Sequence, residues 1–171
     1  QSSTHLMNYG QIRKYDVANG EGIRTSIFVT GCNHHCKGCF NEEYQDFDFG
    51  EKWTDKETRE VIEDLKLQEV SGLTLIGGEP MEHPHELKEI VKKIKREVDK
   101  SIWIYSGFTY EKILEDEEKL ALLKECDILV DGLFIEKELD LSLRFRGSRN
   151  QRVIDIQKSL ANGEVTIWDK L

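Results

Sequence analysis

The fold is decided by Ser26-Ile27-Phe28-Val29-Thr30-Gly31-Cys32-Asn33-His34-His35-Cys36-Lys37-Gly38-Cys39-Phe40. Its first five residues, Ser26–Thr30, are rich in β-branched and aromatic side chains, which predicts a strand. A loop carrying three cysteines follows at once. The same grammar returns in Leu73-Thr74-Leu75-Ile76-Gly77-Gly78-Glu79-Pro80, a strand running into a glycine turn. Ile102–Tyr105 and Ile128–Val130 read as two more strands. All four have few polar interruptions, the pattern of parallel strands covered on both faces. Arg152–Ile156 and Val165–Trp168 read as two further strands.

Helical patterns lie between these runs. Thr54, with Glu57 three residues on, forms a capping box that opens a helix over Asp55–Glu69. Leu87, Ile90, Val91, Ile94 and Val98 make one apolar stripe along a second helix. Ile113, Leu114, Leu120 and Leu123 mark a third helical region, broken in two, with Glu115–Glu118 as a solvated face. Strands alternating with helices imply right-handed βαβ units, an α/β class and a mostly parallel sheet. A full eight-unit barrel takes about 250 residues, and this chain has 171. An incomplete TIM-type βα barrel or an open doubly wound sheet fits instead. In both, ligand chemistry belongs at the C-terminal ends of the strands.

Charge and length exclude several classes. Asp and Glu total 33 against 24 Lys and Arg, a net charge of -9. That balance disfavours a sequence-independent nucleic-acid binder, which carries a basic surface. No apolar run approaches the ~18 residues a membrane helix needs, and no secretory signal is legible. Residues 1–6 precede Met7 and read as an expression scar or disordered terminus, leaving 7–171 as one domain.

Of the four cysteines, Cys32, Cys36 and Cys39 crowd into eight residues, spaced Cys-x3-Cys-x2-Cys. A disulfide framework spreads its pairs through a secreted chain, so this pattern points to metal binding in a reducing cytoplasm. Thiolates are soft ligands suited to iron–sulfur clusters, zinc or Cu(I). Three of them can cap three corners of a cubane and leave the fourth iron open for chemistry. The alternative is a non-catalytic module stabilised by zinc, with His34 or His35 as fourth ligand. Zinc usually draws its ligand pairs from separated segments, and here all candidates share one loop. The lone Cys126, beside an apolar strand, reads as a buried structural thiol.

Cys-x3-Cys-x2-Cys after the first strand resembles the signature of the radical S-adenosylmethionine superfamily. The resemblance implies that Cys32, Cys36 and Cys39 ligate a [4Fe–4S] cluster whose open iron takes the methionyl group of S-adenosylmethionine. Gly77-Gly78-Glu79 is similar to the superfamily's Gly-Gly-Glu motif, which contacts the cofactor's amino group. Two strand-tip residues join it as candidate cofactor contacts, Ser106 for a ribose or carboxylate and Asp131 for a cation or cofactor. Many members carry an aromatic residue just before the third cysteine. This chain has Gly38 there and Phe40 after, so adenine contact falls to the backbone at Gly38 and to Phe40.

Two further segments narrow the family. Gly20-Glu21-Gly22-Ile23-Arg24-Thr25 resembles the lead-in of glycyl-radical-enzyme activases. Arg144-Phe145-Arg146-Gly147-Ser148-Arg149-Asn150-Gln151-Arg152 is a basic stretch in an acidic chain. It is similar to the C-terminal motif of the family that activates anaerobic (class III) ribonucleoside-triphosphate reductase. The resemblance spans nearly everything from Met7 on. It implies reductive cleavage of S-adenosylmethionine, a glycyl radical formed on the reductase, and an electron donor of flavodoxin type. An incomplete barrel would admit the reductase loop. Arg24, Arg144, Arg146, Arg149 and Asn150 are then candidate partner or cofactor contacts. An activase of another glycyl radical enzyme, or another small enzyme of the superfamily, is the nearest alternative.

Overall fold

The computed structural model describes residues 7–39 and 42–171. Phe40 and residues 1–6, both assigned above, lie outside the described residues.

Among the described residues seven strands form one sheet: β1 (Asn8–Asp16), β2 (Arg24–Val29), β3 (Glu51–Lys52), β4 (Gly72–Gly77), β5 (Ser101–Ser106), β6 (Ile128–Asp131) and β7 (Arg152–Asp155). Five α-helices accompany them among the described residues: α1 (Asp55–Leu65), α2 (Pro84–Glu97), α3 (Tyr110–Ile113), α4 (Glu117–Leu123) and α5 (Ile156–Asn162). The strand order is β3-β1-β2-β4-β5-β6-β7. The four central strands β2, β4, β5 and β6 are parallel, as their unbroken apolar runs predict. Both flanks are antiparallel, β1 against β2 and β7 against β6. The sheet is therefore mixed, with a parallel centre.

Side-chain alternation along the strands divides the core. Ile27, Val29, Leu73, Leu75, Ile102, Ile104, Leu129 and Ile154 form one cluster with apolar residues of all five helices. Phe28, Ile76, Trp103, Ile128, Val130 and Val153 fall in two smaller clusters, joined by Tyr44, Trp168 and the half-buried Phe145. The helices thus cover one face. Irregular chain covers the other in part, which leaves room for a ligand at the strand tips.

Several boundaries differ from expectation. α1 carries the expected capping box from Thr54 and Glu57 but ends at Leu65, because Lys66–Val70 closes in tight turns and Leu67 is exposed. The third helical region is indeed split, into α3 and α4. Glu115–Glu118 is a solvated face as expected, and within it the half-buried Asp116 also caps α4 by accepting from the Glu118 and Lys119 amides. Val165–Trp168 is not a strand: it keeps one bridge, Ile154 to Ile167, and Trp168 packs on Trp103. β1 escaped the sequence reading because its residues are mostly polar and half exposed, as befits a strand near the sheet edge. α5 has only seven residues, too few for a clear helical period.

Among the described residues no helix is long and apolar enough to cross a membrane.

Candidate functional site

The parallel register aligns the C-terminal ends of β2, β4, β5 and β6. Four loops leave from that edge, and a cleft of about 450 Å³ opens among them. Cys32, Cys36 and Cys39 line it, with Gly77, Gly78, Glu79, Ser106 and Arg146.

The cysteine loop is anchored at its root. The Gly31 and Cys32 amides donate to the Tyr44 and Gln45 carbonyls, and His83 Nε2 lies 2.7 Å from the Thr30 carbonyl. Gly31, His35 and Gly38 take positive φ (101°, 53° and 76°), which coils the loop tightly. Burial pushes the Cys32 thiol up to about 11, against the opposing pull of the His34 and His35 amides. Burial also raises Cys36, which the Phe134 amide opposes from the loop after β6. Buried thiols facing backbone N–H groups favour the thiolate once a cation compensates the burial.

These residues fit an iron–sulfur cluster. The donor set is three soft sulfur atoms on one cleft wall. Among the described residues no three His, Cys, Asp or Glu side chains converge on a point that would hold one metal ion. A cubane takes each thiolate on a different iron and so does not need them to meet at one point.

Glu79 is buried, 1% exposed, and its carboxylate is heavily used. Oε1 accepts from the Gly107 amide at 2.7 Å and lies 2.8 Å from His34 Nε2. Oε2 accepts from the Met81 amide at 2.8 Å. The hydrogen bond to Glu79 raises His34, outweighing its burial. The two glycines before Glu79 are close-packed. Gly77 has φ of 116°, and a Cβ on Gly78 would come 3.0 Å from the Gly31 nitrogen.

Ser106 caps its own turn, accepting from the Phe108 amide at 3.0 Å, while also lining the cleft.

The other expected residues lie elsewhere. Asp131 is fully buried and turned away from the cleft, held by Arg152 and by the Tyr110 amide at 2.7 Å. Arg24 is buried at the opposite end of β2. Its guanidinium donates to Thr74 Oγ1, to the Glu21, Leu73 and Ser101 carbonyls and to Ser101 Oγ, and burial lowers it to about 10. Five residue steps of strand, about 16 Å, separate it from the cysteine end. It ties the floor of the sheet. Asn150 clips its loop, with Nδ2 donating to the Leu133 carbonyl at 2.7 Å and Oδ1 accepting from Ser148 Oγ. Gly38 packs against Glu136 rather than lining the cleft. Arg144 is exposed and donates to the Lys170 carbonyl, and Arg149 is exposed on the same loop. Cys126 is buried, donating its S–H to the Leu122 carbonyl, which is the structural role expected.

The sequence reading weighed His34 only as a zinc ligand and passed over Tyr105, Phe134 and Gln151; all four line the cleft. His34 carried a signal, its place between two cysteines. Tyr105 carried none, since a strand aromatic reads as core.

A family model described as a 4Fe-4S single cluster domain matches residues 18–154. The chain is 42% identical over 151 residues to the anaerobic ribonucleoside-triphosphate reductase-activating protein of Haemophilus influenzae, covering 85% of this chain and 96% of that one. Its counterpart in Vibrio cholerae gives the same figures. That of enterobacteria phage T4 is 37% identical over 150 residues, covering 86% and 93%. The cysteine loop and the cleft lining apart from Arg13 fall inside the region matched by the family model, and the chain belongs to the family of anaerobic ribonucleoside-triphosphate reductase-activating proteins, with a 4Fe-4S single cluster domain.

Proposed function

We propose that this chain activates anaerobic (class III) ribonucleoside-triphosphate reductase by generating a glycyl radical on it, using a [4Fe–4S] cluster and S-adenosylmethionine. One observation carries the reading: Cys32, Cys36, Cys39 and Gly77-Gly78-Glu79 share one cleft at the tips of parallel strands, in a chain whose relatives are named for this activation.

When bound, the cluster and S-adenosylmethionine supply one-electron reductive cleavage of a sulfonium and, from it, hydrogen-atom abstraction. Cys32, Cys36 and Cys39 hold the cluster in this reading. Gly77 and Gly78, lacking side chains, let a ligand approach the β4 backbone. Glu79 offers a buried carboxylate to the cofactor's ammonium, and Ser106 a hydroxyl beside it. Phe28, Ile76, Tyr105, Val130 and Phe134 line the cleft with apolar surface and exclude water from the reacting groups.

Helices on one face and an open cleft on the other support an incomplete TIM-type βα barrel. Such a barrel admits a loop of a large partner. Arg146 is the one arginine of the C-terminal loop that lines the cleft. The exposed Arg144 and Arg149 face outward and are assigned to docking the reductase. The electron enters from a low-potential donor of flavodoxin type, and free thiols suit a reducing cytoplasm.

The test is EPR on an anaerobic mixture of cluster-loaded protein, reductant, S-adenosylmethionine and reductase. A glycyl radical that requires every component is expected. Formation of 5′-deoxyadenosine without that radical would point to a different partner, and formation of neither would remove the proposal.

A further inference from the structure

Cleft-lining His34 joins three loops that sequence keeps apart. From the cysteine loop, its Nε2 reaches Glu79 Oε1, 2.8 Å away in the loop after β4. Its ring packs edge-on against Phe108 in the loop after β5, with centroids 4.6 Å apart. It also seats on Gly107, where a Cβ would come 2.8 Å from Nε2. The His34 side chain is 15% exposed and that of Glu79 is 1% exposed, so water does little to weaken this contact.

A carboxylate offers about four lone-pair directions. Glu79 spends three, on His34, the Gly107 amide and the Met81 amide. Two of these donors are fixed backbone. Among the described residues His34 is its one side-chain donor, and of the three donors it alone belongs to the segment that carries the cysteines. Losing it leaves the carboxylate to its two backbone donors and removes the side-chain link from the cysteine loop to that carboxylate, while the main-chain bond from the Glu79 amide to the Gly31 carbonyl at 2.9 Å remains.

We propose that His34 is a positioning residue for S-adenosylmethionine. It holds the Glu79 carboxylate with one acceptor direction left for the cofactor's ammonium, and so couples the cluster-bearing loop to cofactor affinity. This rests on the reading that Glu79 receives that ammonium. It makes no use of a change in the charge of His34.

The test measures S-adenosylmethionine affinity by equilibrium dialysis on anaerobic protein whose iron and sulfide have been quantified. The variants are His34→Phe, which keeps a ring and loses the donor, His34→Gln, which restores an N–H at similar reach, Glu79→Ala and His34→Phe with Glu79→Ala. Unchanged cluster content is expected throughout. Affinity should fall about tenfold in His34→Phe, as for loss of a hydrogen bond to a charged group. His34→Gln should recover most of it. The double variant should bind no worse than Glu79→Ala alone, because residues acting through one another are not additive.

Unchanged or tighter binding in His34→Phe overturns the proposal, the latter by making His34 a competitor for Glu79. Additive losses overturn it too, as does loss of the cluster in His34→Phe. Failure of the cluster-loaded wild type to bind S-adenosylmethionine would instead refute the underlying reading, and with it this inference.

Discussion

Arg152 on β7 grips Asp131 on β6 through two hydrogen bonds, Nε to Oδ1 at 3.0 Å and Nη2 to Oδ2 at 2.6 Å. The two residues are directly paired across the antiparallel strands. Asp131 also caps the chain entering α3 by accepting from the Tyr110 amide. A strand-tip carboxylate that the sequence offers to a ligand is thus consumed in joining β6, β7 and α3.

Removing Arg152 strands a buried carboxylate. Arg152→Ala is expected to cost about 2–3 kcal/mol in urea unfolding, below the usual range for a fully buried pair because the arginine is one-third exposed. Asp131→Asn should leave S-adenosylmethionine affinity unchanged per folded molecule. A selective loss of affinity would return Asp131 to the cofactor site.

The cysteines divide three to one. Cys32→Ala, Cys36→Ala and Cys39→Ala are each expected to lose most of the iron and acid-labile sulfide bound on anaerobic reconstitution. Cys126→Ala should keep both, since its thiol is buried against Leu122 among helix-side core residues. Its cost should be a small core cavity, about 1 kcal/mol. Loss of iron in Cys126→Ala would contradict the three-ligand assignment.

Acid should weaken the sheet floor through Asp16. Burial alone would raise this carboxyl, but the Ser26 hydroxyl, the Asn19 amide and the Ala18 N–H outweigh it and hold it below the usual range. A carboxyl depressed on folding contributes stability above its unfolded value of about 3.9. That contribution is lost as pH falls through the folded value. Denaturant midpoints measured from pH 6 down to pH 2.5 should fall less steeply in Asp16→Asn than in wild type. Parallel curves would exclude Asp16 as a source of the acid sensitivity.

Gly77 is held to glycine by its backbone. Its φ is 116°, and a Cβ would come 2.5 Å from the Val29 nitrogen. Gly77→Ala should therefore disrupt the β2–β4 tips, with lower thermal stability and lower cluster occupancy together. Wild-type values for both would show that the turn can relax.

The local devices were legible in the sequence. The capping box at Thr54 and Glu57, the stripe from Leu87 to Ile94 and the four parallel strands each depend on neighbours a few residues apart. The Cys-x3-Cys-x2-Cys loop was legible for the same reason, since its ligand chemistry lies in eight consecutive residues. β1 and the hand of β7 were not legible. Their pairing is set by sheet partners far along the chain, and polar edge strands carry little apolar alternation.

The arginines show the same division. Sequence presented Arg24, Arg144, Arg146 and Arg149 as equivalent basic residues near recognisable motifs. Folding buried Arg24 among carbonyls at one end of β2, left Arg144 and Arg149 exposed, and brought Arg146 alone to the cleft.

The sequence by itself determined the α/β class, the parallel centre and the three clustered thiols, because each follows from composition and spacing within one segment. Only the tertiary structure decided which polar groups remain available at the cleft. Hydrogen-bond satisfaction is global: Asp131 went to Arg152, Asn150 to Leu133 and Glu79 to His34. A buried polar group takes whichever partner the fold brings nearest, and the linear sequence does not record that distance.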